Sequence, residues 1–327
     1  MVVSEIFKCV QKLTSNPLLF IGSGSSAAYG LPTMYVLGEH LISMLSPKYS
    51  DDNEWKKFKE NLAVGQDLET ALTDIVLKPE IINDIRKVTW QLVSDADLKV
   101  FNDITFGVSS MPLAELIKKL FQVHPQTVNI ITTNYDRVIE YACDKAGIPV
   151  NTGFNGCYSK QYVGTFNKKN MVNLIKVHGS LDLFKDSKDA TISLPLQHQL
   201  PDGLLPEIIT PGISKYKAVL TGIERPLLTE GDVMINNAES YLCIGYGFND
   251  TQIQAEMINN IKKGKPLVLV TKKVSENTAH LLANTATNYI YINEGETEGT
   301  TEFCINKKLI TIEGTYWTID GFMNIID

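Results

Sequence analysis

The chain has 327 residues, of which 44% are hydrophobic and 20% are charged, and its formal net charge is −7 at pH 7. These proportions are those of a folded globular protein and exclude a largely disordered chain. The acidic excess gives no overall positive field that would attract a phosphate backbone, so we expect no direct nucleic-acid binding.

The cysteines and the N-terminal residues further narrow the class of protein. Five cysteines are scattered along the sequence without a Cys-x-x-Cys pair, so we expect no zinc ribbon and no bound metal. The first residues lack the apolar block of a signal peptide, and no window reaches the roughly 18 apolar residues of a membrane helix. We therefore predict a cytoplasmic protein that makes no membrane contact.

Short apolar runs, each followed by a glycine-rich or polar turn, predict buried strands along the chain. They cover residues 18–21, 128–132, 172–177, 241–245 and 267–270. Helical patterns follow most of these runs, such as residues 136–146, which end before Gly147, and residues 250–263, which end before Gly264. Repeated strand, turn and helix is typical of an α/β fold with a doubly wound, Rossmann-like parallel sheet.

Other stretches depart from this pattern and suggest the domain organisation. Residues 38–125 have amphipathic helical periodicity, at 55–62, 68–77, 81–93 and 112–123, and predict an inserted helical module. Residues 184–235 contain five prolines and predict a loop-rich segment over the site. Residues 296–327 predict a β-hairpin tail with turns at Gly314 and Gly321. The Rossmann-like core then comprises residues 1–37, 126–183 and 236–295.

The first motif, GSGSSAAYGLP, begins at Gly22, where the first predicted strand ends. Gly22 and Gly24 allow a tight turn that brings backbone N–H groups close to a phosphate, and Ser25 and Ser26 add hydroxyl donors. The same glycines also suit a strand–helix turn without a ligand, and the third glycine of the usual Rossmann spacing is missing. A phosphate site and a structural turn both remain open.

Polar residues follow the next two predicted strands, in the motifs TTNYD and HGS. Ligands of open α/β sheets bind beyond the carboxyl ends of the strands, where Asn134 and Asp136 would lie, but either residue also suits a helix N-cap. His178 can act as a base near neutral pH, with Gly179 leaving room for a ligand, but it can equally be structural.

The fourth motif, IGYGFND, ends a further predicted strand. Gly245 and Gly247 leave room for a ribose or an adenine, while Asn249 and Asp250 can bond a ribose or cap the next helix, capping being favoured for Asp250. Since all four motifs follow predicted parallel strands, we expect them to meet at one edge of the sheet.

The order of these motifs resembles the sirtuin-like NAD-consuming superfamily, and it is more similar to bacterial NAD hydrolases of anti-phage defence than to protein deacetylases. The resemblance implies that Asn134 and Asp136 position the nicotinamide end of NAD and its ribose, and that His178 acts at the ribose hydroxyls. The residues expected to contact the diphosphate are Gly22, Ser23, Gly24, Ser25 and Ala27. Further candidate NAD contacts are Thr133, Gly245, Gly247 and Asn249.

Departures from the deacetylases point to the activity. Those enzymes carry a zinc ribbon and a Phe-Arg-Gly segment after the glycine loop, where this chain has Met34, Tyr35 and Val36. The resemblance therefore implies an NAD+ glycohydrolase that uses NAD+ as substrate and yields nicotinamide and ADP-ribose. An NAD-dependent protein deacylase or ADP-ribosyltransferase, and a non-catalytic NAD or ADP-ribose sensor, are the alternatives.

Control of such an activity is implied by the same resemblance. An effector that destroyed NAD constitutively would harm its host. We therefore expect a homo-oligomer or a regulatory partner, such as a HerA-type ATPase or a short Argonaute-like protein.

Overall fold

The computed structural model describes residues 3–66, 68–72, 75–107, 110–210 and 224–326. Its strands are β1 Leu18–Ile21, β2 Val128–Thr132, β3 Val150–Asn151, β4 Phe154–Asn155, β5 Lys160–Tyr162, β6 Val172–Lys176, β7 Gly179–Lys185, β8 Thr191–Ser193, β9 Leu205–Ile208, β10 Tyr241–Ile244, β11 Leu267–Val270, β12 Tyr289–Glu294, β13 Thr300–Ile305 and β14 Lys308–Glu313. Its helices are α1 Val3–Leu13, α2 Ser23–Ala27, α3 Met34–Tyr49, α4 Asn53–Ala63, α5 Leu68–Ala71, α6 Pro79–Thr105, α7 Pro112–Phe121, α8 Val138–Ala146, α9 Glu224–Asn237, α10 Thr251–Lys262, α11 Glu276–Thr285 and α12 Ile319–Ile326.

Nine strands of the described chain form the central sheet, in the order β14-β13-β12-β11-β10-β1-β2-β6-β3. From β12 to β3 all neighbouring strands pair in parallel, and the β13–β14 hairpin adds an antiparallel edge. The five strands predicted from apolar runs are all present, and the prediction of a doubly wound, parallel-dominated α/β fold is confirmed.

Both faces of this sheet are buried, which explains why its strands are continuous apolar runs. In β1, Leu19 and Ile21 pack in a core with α1, α6, α7, α8 and α12, whereas Leu18 and Phe20 face the opposite core, formed with α9, α10 and α11. The alternation of side chains along a strand thus gives each face of the sheet its own helical layer.

The predicted helical module has a hydrophobic core of its own. Side chains of α3, α4, α5 and the first turns of α6 form a separate cluster that includes the fully buried Trp55 and Phe58. Helix α6 is longer than the predicted 81–93 and has 27 residues, and its second half packs on the main core, where Trp90 Nε1 donates to the Leu181 carbonyl at 2.8 Å. Among the described residues of the predicted helix at 68–77, only Leu68–Ala71 are helical, and residues 73–74 lie outside the described ranges.

The proline-containing segment and the tail hold regular structure that the sequence patterns did not predict. Among the described residues, a second sheet has the order β4-β5-β8-β7-β9, and α9 follows the undescribed residues 211–223. Beyond the β13–β14 hairpin, the chain ends in α12, whose Phe322 and Ile325 lie one helical turn apart and face the core. In the described ranges, no helix has the length and hydropathy needed to cross a membrane.

Candidate active site

The four sequence motifs meet at one edge of the central sheet. The in-register neighbours Ile21, Thr132 and Ile244 end β1, β2 and β10, and Lys176 ends β6 beside Thr132. The loops that follow these strands are therefore adjacent, as the parallel arrangement predicted.

A cavity of about 250 Å³ lies among these loops and is called the smaller cavity below. Of the residues predicted for the site, it is lined by Gly22, Ser23, Thr133, Asn134, Asp136, His178, Gly245, Gly247 and Asn249. Ser26, considered from the sequence as a hydroxyl donor, and Asp250, considered as a ribose contact or helix cap, also line it.

A cavity of about 750 Å³, the larger cavity, borders the same glycine loop. It is lined by the remaining predicted residues, Gly24, Ser25 and Ala27, and by Gly245, which lines the smaller cavity as well. Thr271 and Lys272 after β11 and Trp317 before α12 form part of its wall.

Close packing between two loops explains the glycines at the start of the first motif. A Cβ atom on Gly22 would lie 2.4 Å from the Gly245 carbonyl oxygen, and one on Gly24 would lie 2.9 Å from the Gly245 Cα. The Gly22 N–H donates to the Ile244 carbonyl and the Gly24 N–H to the Gly245 carbonyl, at 2.9 and 3.1 Å. These two N–H groups, predicted to approach a phosphate, are thus bonded to the last residue of β10 and to the first residue after it.

Asn134 is held by hydrogen bonds at the end of β2. Its side-chain Nδ2 donates to Ser26 Oγ at 3.0 Å, and its backbone N–H donates to Thr132 Oγ1 at 3.1 Å. Thr132 Oγ1 in turn donates to the Ile21 carbonyl at 2.6 Å. The residue is only 6% exposed, so its amide has a fixed position at the wall of the smaller cavity.

Asp136 combines the two roles that the sequence left open. Its Oδ1 accepts from the Val138 N–H at 3.2 Å, as an N-terminal helix residue would, and the carboxyl also lines the smaller cavity. Burial raises the pKa of Asp136; the charge of Lys176 opposes this rise and that of Asp97 adds to it. A carboxyl with a raised pKa is ionised less readily near neutral pH than an exposed aspartate.

Two buried cations, Lys176 and Arg137, connect the segment from Asn134 to Arg137 with neighbouring parts of the fold. Lys176 Nζ donates to the Asp136 carbonyl and, at 2.9 Å, to Glu140 Oε1. The Arg137 guanidinium pairs with Asp97 of α6, with Nη2–Oδ2 at 2.7 Å and Nε–Oδ2 at 2.9 Å.

Asp97, which pairs with the Arg137 guanidinium, accepts two further hydrogen bonds. Its Oδ1 accepts from the Arg137 N–H at 2.6 Å, and its Oδ2 also accepts from the Tyr141 hydroxyl at 2.5 Å. Asp97 is fully buried. The helical module is therefore bonded directly to the site through α6, a connection that the predicted helix ending at residue 93 did not reveal.

His178 contacts Asp250 at the edge of the smaller cavity. Its Nε2 lies 2.5 Å from Asp250 Oδ2, and the two side chains are only 10% and 8% exposed. Asp250 Oδ1 also accepts from the Ile253 N–H at 3.4 Å, so the predicted capping role is present alongside a contact that the sequence did not indicate.

Gly179 serves a different purpose from the one predicted. It has φ +80°, and a Cβ atom there would lie 1.9 Å from the Glu207 carbonyl oxygen, so the space beside it is filled by β9 rather than left for a ligand. The Ile209 N–H donates to the His178 carbonyl at 2.9 Å and fixes the backbone of the histidine.

No group of three or more His, Cys, Asp or Glu side chains within the described ranges is placed to hold a metal ion.

Several solved structures are similar to this chain over most of its length. A Sir2 homologue in complex with NAD is 13% identical, with 89% of this chain and 88% of that chain covered and a TM-score of 0.49. A Sir2 homologue variant with ADP-ribose (12% identity, 88% and 90% coverage, TM-score 0.49) and Sir2Tm bound to a propionylated peptide (12%, 88% and 92%, 0.46) are similar to the same extent. No curated protein sequence matches the chain.

The family comparison is specific to one part of the chain. Residues 128–290 match the family model described as a SIR2-like domain, and this range includes Asn134, His178 and Gly245. Three of the four site motifs lie within the residues that match this model.

Proposed function

We propose that this protein binds NAD+ and hydrolyses its nicotinamide–ribose bond, giving nicotinamide and ADP-ribose. One observation carries the proposal: Asn134, Asp136 and His178 line the same small cavity at the carboxyl ends of parallel strands, and all three lie within the residues that match the SIR2-like domain model. The family match supports NAD as the ligand, and the polar groups support chemistry at a ribose.

The two cavities suit the two halves of a dinucleotide. We assign the nicotinamide ribose to the smaller cavity, since Asn134 and His178 line it, and the adenosine half to the larger one. The diphosphate would then cross the contact between the glycine loop and Gly245, where Ser25 and Ala27 line the larger cavity.

The reaction makes modest demands on the protein. Nicotinamide in NAD+ is a cationic leaving group, so breaking its bond to C1′ needs no general acid, and the ribose passes through an oxocarbenium-like state that water attacks. The protein must orient the ribose, place the water and stabilise the positive charge that develops.

The proposed roles follow from the contacts of each side chain. The Asn134 amide, held by Ser26, would orient the water and the ribose. His178 would accept a proton from a ribose hydroxyl, which raises the electron density that stabilises the cation. Because burial raises the pKa of Asp136, we assign this residue hydrogen bonding rather than a fixed negative charge.

An effector of anti-phage defence, activated by self-assembly or by a partner, is the physiological role that we propose. The motif order resembles that bacterial branch, and candidate partners are a HerA-type ATPase or a short Argonaute-like protein. Exposed apolar side chains on α3 of the helical module, Met34, Tyr35 and Val36, provide a candidate contact surface.

The test is to incubate the purified chain with NAD+, with and without the product of a neighbouring gene, and to measure free nicotinamide by chromatography. We expect Asn134→Ala and His178→Ala to lower turnover about 100-fold or more, as loss of a positioned polar group or base does. The exposed pair Asn277→Ala and His280→Ala on α11 are matched controls that should retain activity.

Each other outcome has a defined meaning. Absence of turnover in every assembly state would refute the hydrolase, and NAD+ binding without turnover would favour a sensor. Transfer of an acyl group or of ADP-ribose to protein would favour the deacylase or the transferase. Equal turnover in the Asn134 and His178 variants would refute the site assignment.

A further inference from the structure

We infer that Asp250 is a positioning residue for His178, and that the two side chains work as a pair in the cleavage of the nicotinamide–ribose bond. This inference rests on the proposed function. The observation behind it is the contact of 2.5 Å between His178 Nε2 and Asp250 Oδ2, made by two nearly buried side chains at the smaller cavity.

The partners of this contact come from separate parts of the sheet. His178 follows β6 and Asp250 follows the loop after β10, and the strands β1 and β2 lie between β6 and β10. The pair therefore bridges the crevice above β1 and β2, whose loops contribute Gly22 and Asn134 to the same cavity. A bridge in this position sets the distance between the two sides of the site.

Both ends of the bridge are fixed by backbone hydrogen bonds. The His178 carbonyl accepts from the Ile209 N–H at 2.9 Å, and Asp250 Oδ1 accepts from the Ile253 N–H in the first turn of α10. With one oxygen on the helix, the Asp250 carboxylate presents the other to the imidazole. This geometry restricts rotation of the histidine ring about its side-chain bonds.

The contact also determines which ring nitrogen can act as a base. A carboxylate accepts but does not donate, so a close approach of Nε2 to Asp250 favours the tautomer with the hydrogen on Nε2, and we assign the lone pair to Nδ1. In hydrolytic sites, a carboxylate that contacts one ring nitrogen of a histidine likewise orients the ring and leaves the other nitrogen to act as the base.

The step that we assign to the pair balances as follows. A ribose O–H bond breaks, its proton forms a bond to Nδ1 of His178, and the resulting imidazolium is stabilised by the Asp250 carboxylate. The C1′–N bond breaks with its electron pair on nicotinamide, water adds to C1′, His178 returns its proton to the ribose oxygen, and the proton lost by the water passes to solvent.

The alternative explanation is that Asp250 only caps α10, and three variants separate it from the inference. Asp250→Asn keeps the size and a capping oxygen but removes the charge, whereas Asp250→Ser keeps a capping hydroxyl that is too short to reach His178. The matched control is Ser275→Ala, since Ser275 caps α11 through the Thr278 N–H at 3.1 Å.

Steady-state kinetics with NAD+ supply the first readout. We expect Asp250→Asn and Asp250→Ser to lower kcat about 10- to 100-fold with KM within about 3-fold of the parent, the loss typical of removing a group that orients a residue in contact with the substrate. Ser275→Ala should change kcat by less than about 2-fold. Unchanged kcat in both Asp250 variants, or a change confined to KM, would overturn the inference.

The tautomer of His178 supplies a second readout that does not require turnover. In ¹⁵N-histidine spectra, His178 should show the Nε2–H form in the parent and a mixture of forms in Asp250→Ser, with His178→Ala used to assign the signal. An unchanged tautomer in Asp250→Ser would overturn the pairing. If the parent shows the Nε2–H form but no NAD+ cleavage, the proposed function fails while the His178–Asp250 contact stands.

Discussion

Removal of the Asp97 side chain is the most direct test of how the helical module supports the site. In Asp97→Ala, the Arg137 guanidinium loses two contacts below 3 Å, and the Arg137 N–H and the Tyr141 hydroxyl lose their acceptor. Arg137 is only 6% exposed, so water does not readily replace what it loses. Breaking a buried ion pair on one side costs about 3–5 kcal/mol, a large part of the roughly 5–15 kcal/mol by which a domain is stable.

The assay is urea unfolding followed by fluorescence and circular dichroism, with the change in midpoint converted to free energy through the slope. Asp95→Ala is the matched control, because Asp95 lies on the same helix but is exposed, and it should change the free energy of unfolding by less than about 0.5 kcal/mol. A loss below about 1 kcal/mol in Asp97→Ala would refute the view that this buried pair holds α6 to the site.

Three further predictions concern the glycine contact and the buried carboxyl. Gly22→Ala should destabilise the fold by about 2 kcal/mol or more and abolish NAD+ cleavage, since its Cβ would lie 2.4 Å from the Gly245 carbonyl oxygen. The control is Gly231→Ala in α9, where the nearest atom to the added Cβ, Ile131 Cδ1, lies at 3.9 Å. This control should be neutral or slightly stabilising in the same unfolding assay. Because burial holds the folded-state pKa of Asp136 above its ordinary value of 3.8, wild-type stability falls as pH rises above that value. Asp136→Asn should therefore be more stable than wild type at pH 8 and lose that advantage at pH 4 in urea unfolding; equal differences at both pH values would contradict the raised pKa. A cationic nicotinamide beside Asp136 favours the ionised form of the carboxyl, so NAD+ should bind more tightly as pH rises, and its binding should release protons. Calorimetry in buffers of different ionisation enthalpy would detect this proton release. Binding heats that do not depend on the buffer would refute the link.

Five adjacent strands of the central sheet, β11, β10, β1, β2 and β6, could be predicted from sequence because they are buried on both faces. In β1, Leu19 and Ile21 enter one core while Leu18 and Phe20 enter the other, so the strand is an apolar run that needs no partner information to recognise. The strands of the second sheet carry no such signal. β8 has three residues, and its partners β5 and β7 are determined by tertiary contacts rather than by a local pattern.

The meeting of the four motifs at one edge of the sheet was predictable to the same depth. Asn134 and His178 stand at the ends of apolar runs, and parallel topology alone brings strand ends together. What the sequence could not indicate is which side chains pair across that edge. Asp97 is 40 positions from Arg137, and Asp250 lies in a motif whose local pattern favours a helix cap, a role that it also has. A capping carboxylate has a second oxygen. Its partner, His178, follows β6 on the other side of the crevice, and only the folded structure reveals this contact.

The charges beside the smaller cavity bear on how the proposed site would suit both a cationic substrate and a cationic transition state. Four carboxyls lie around the cations Arg137 and Lys176: the buried Asp97 and Asp136, and the partly exposed Glu140 and Asp182. Burial raises the pKa of Asp136 and of Glu140. For Asp182 the effect of burial is outweighed by the charge of Lys176 and by the hydrogen bond from Ser193, which hold its pKa below the usual range. Asp136, which lines the smaller cavity, is therefore harder to ionise than an exposed aspartate. In the proposed reaction, a positive charge on the nicotinamide ring, and later on the ribose, would favour its ionisation and so strengthen the stabilising field. A fixed ion pair, such as Asp97 with Arg137, cannot respond in this way, and it serves instead to hold the backbone to which the responsive carboxyl belongs.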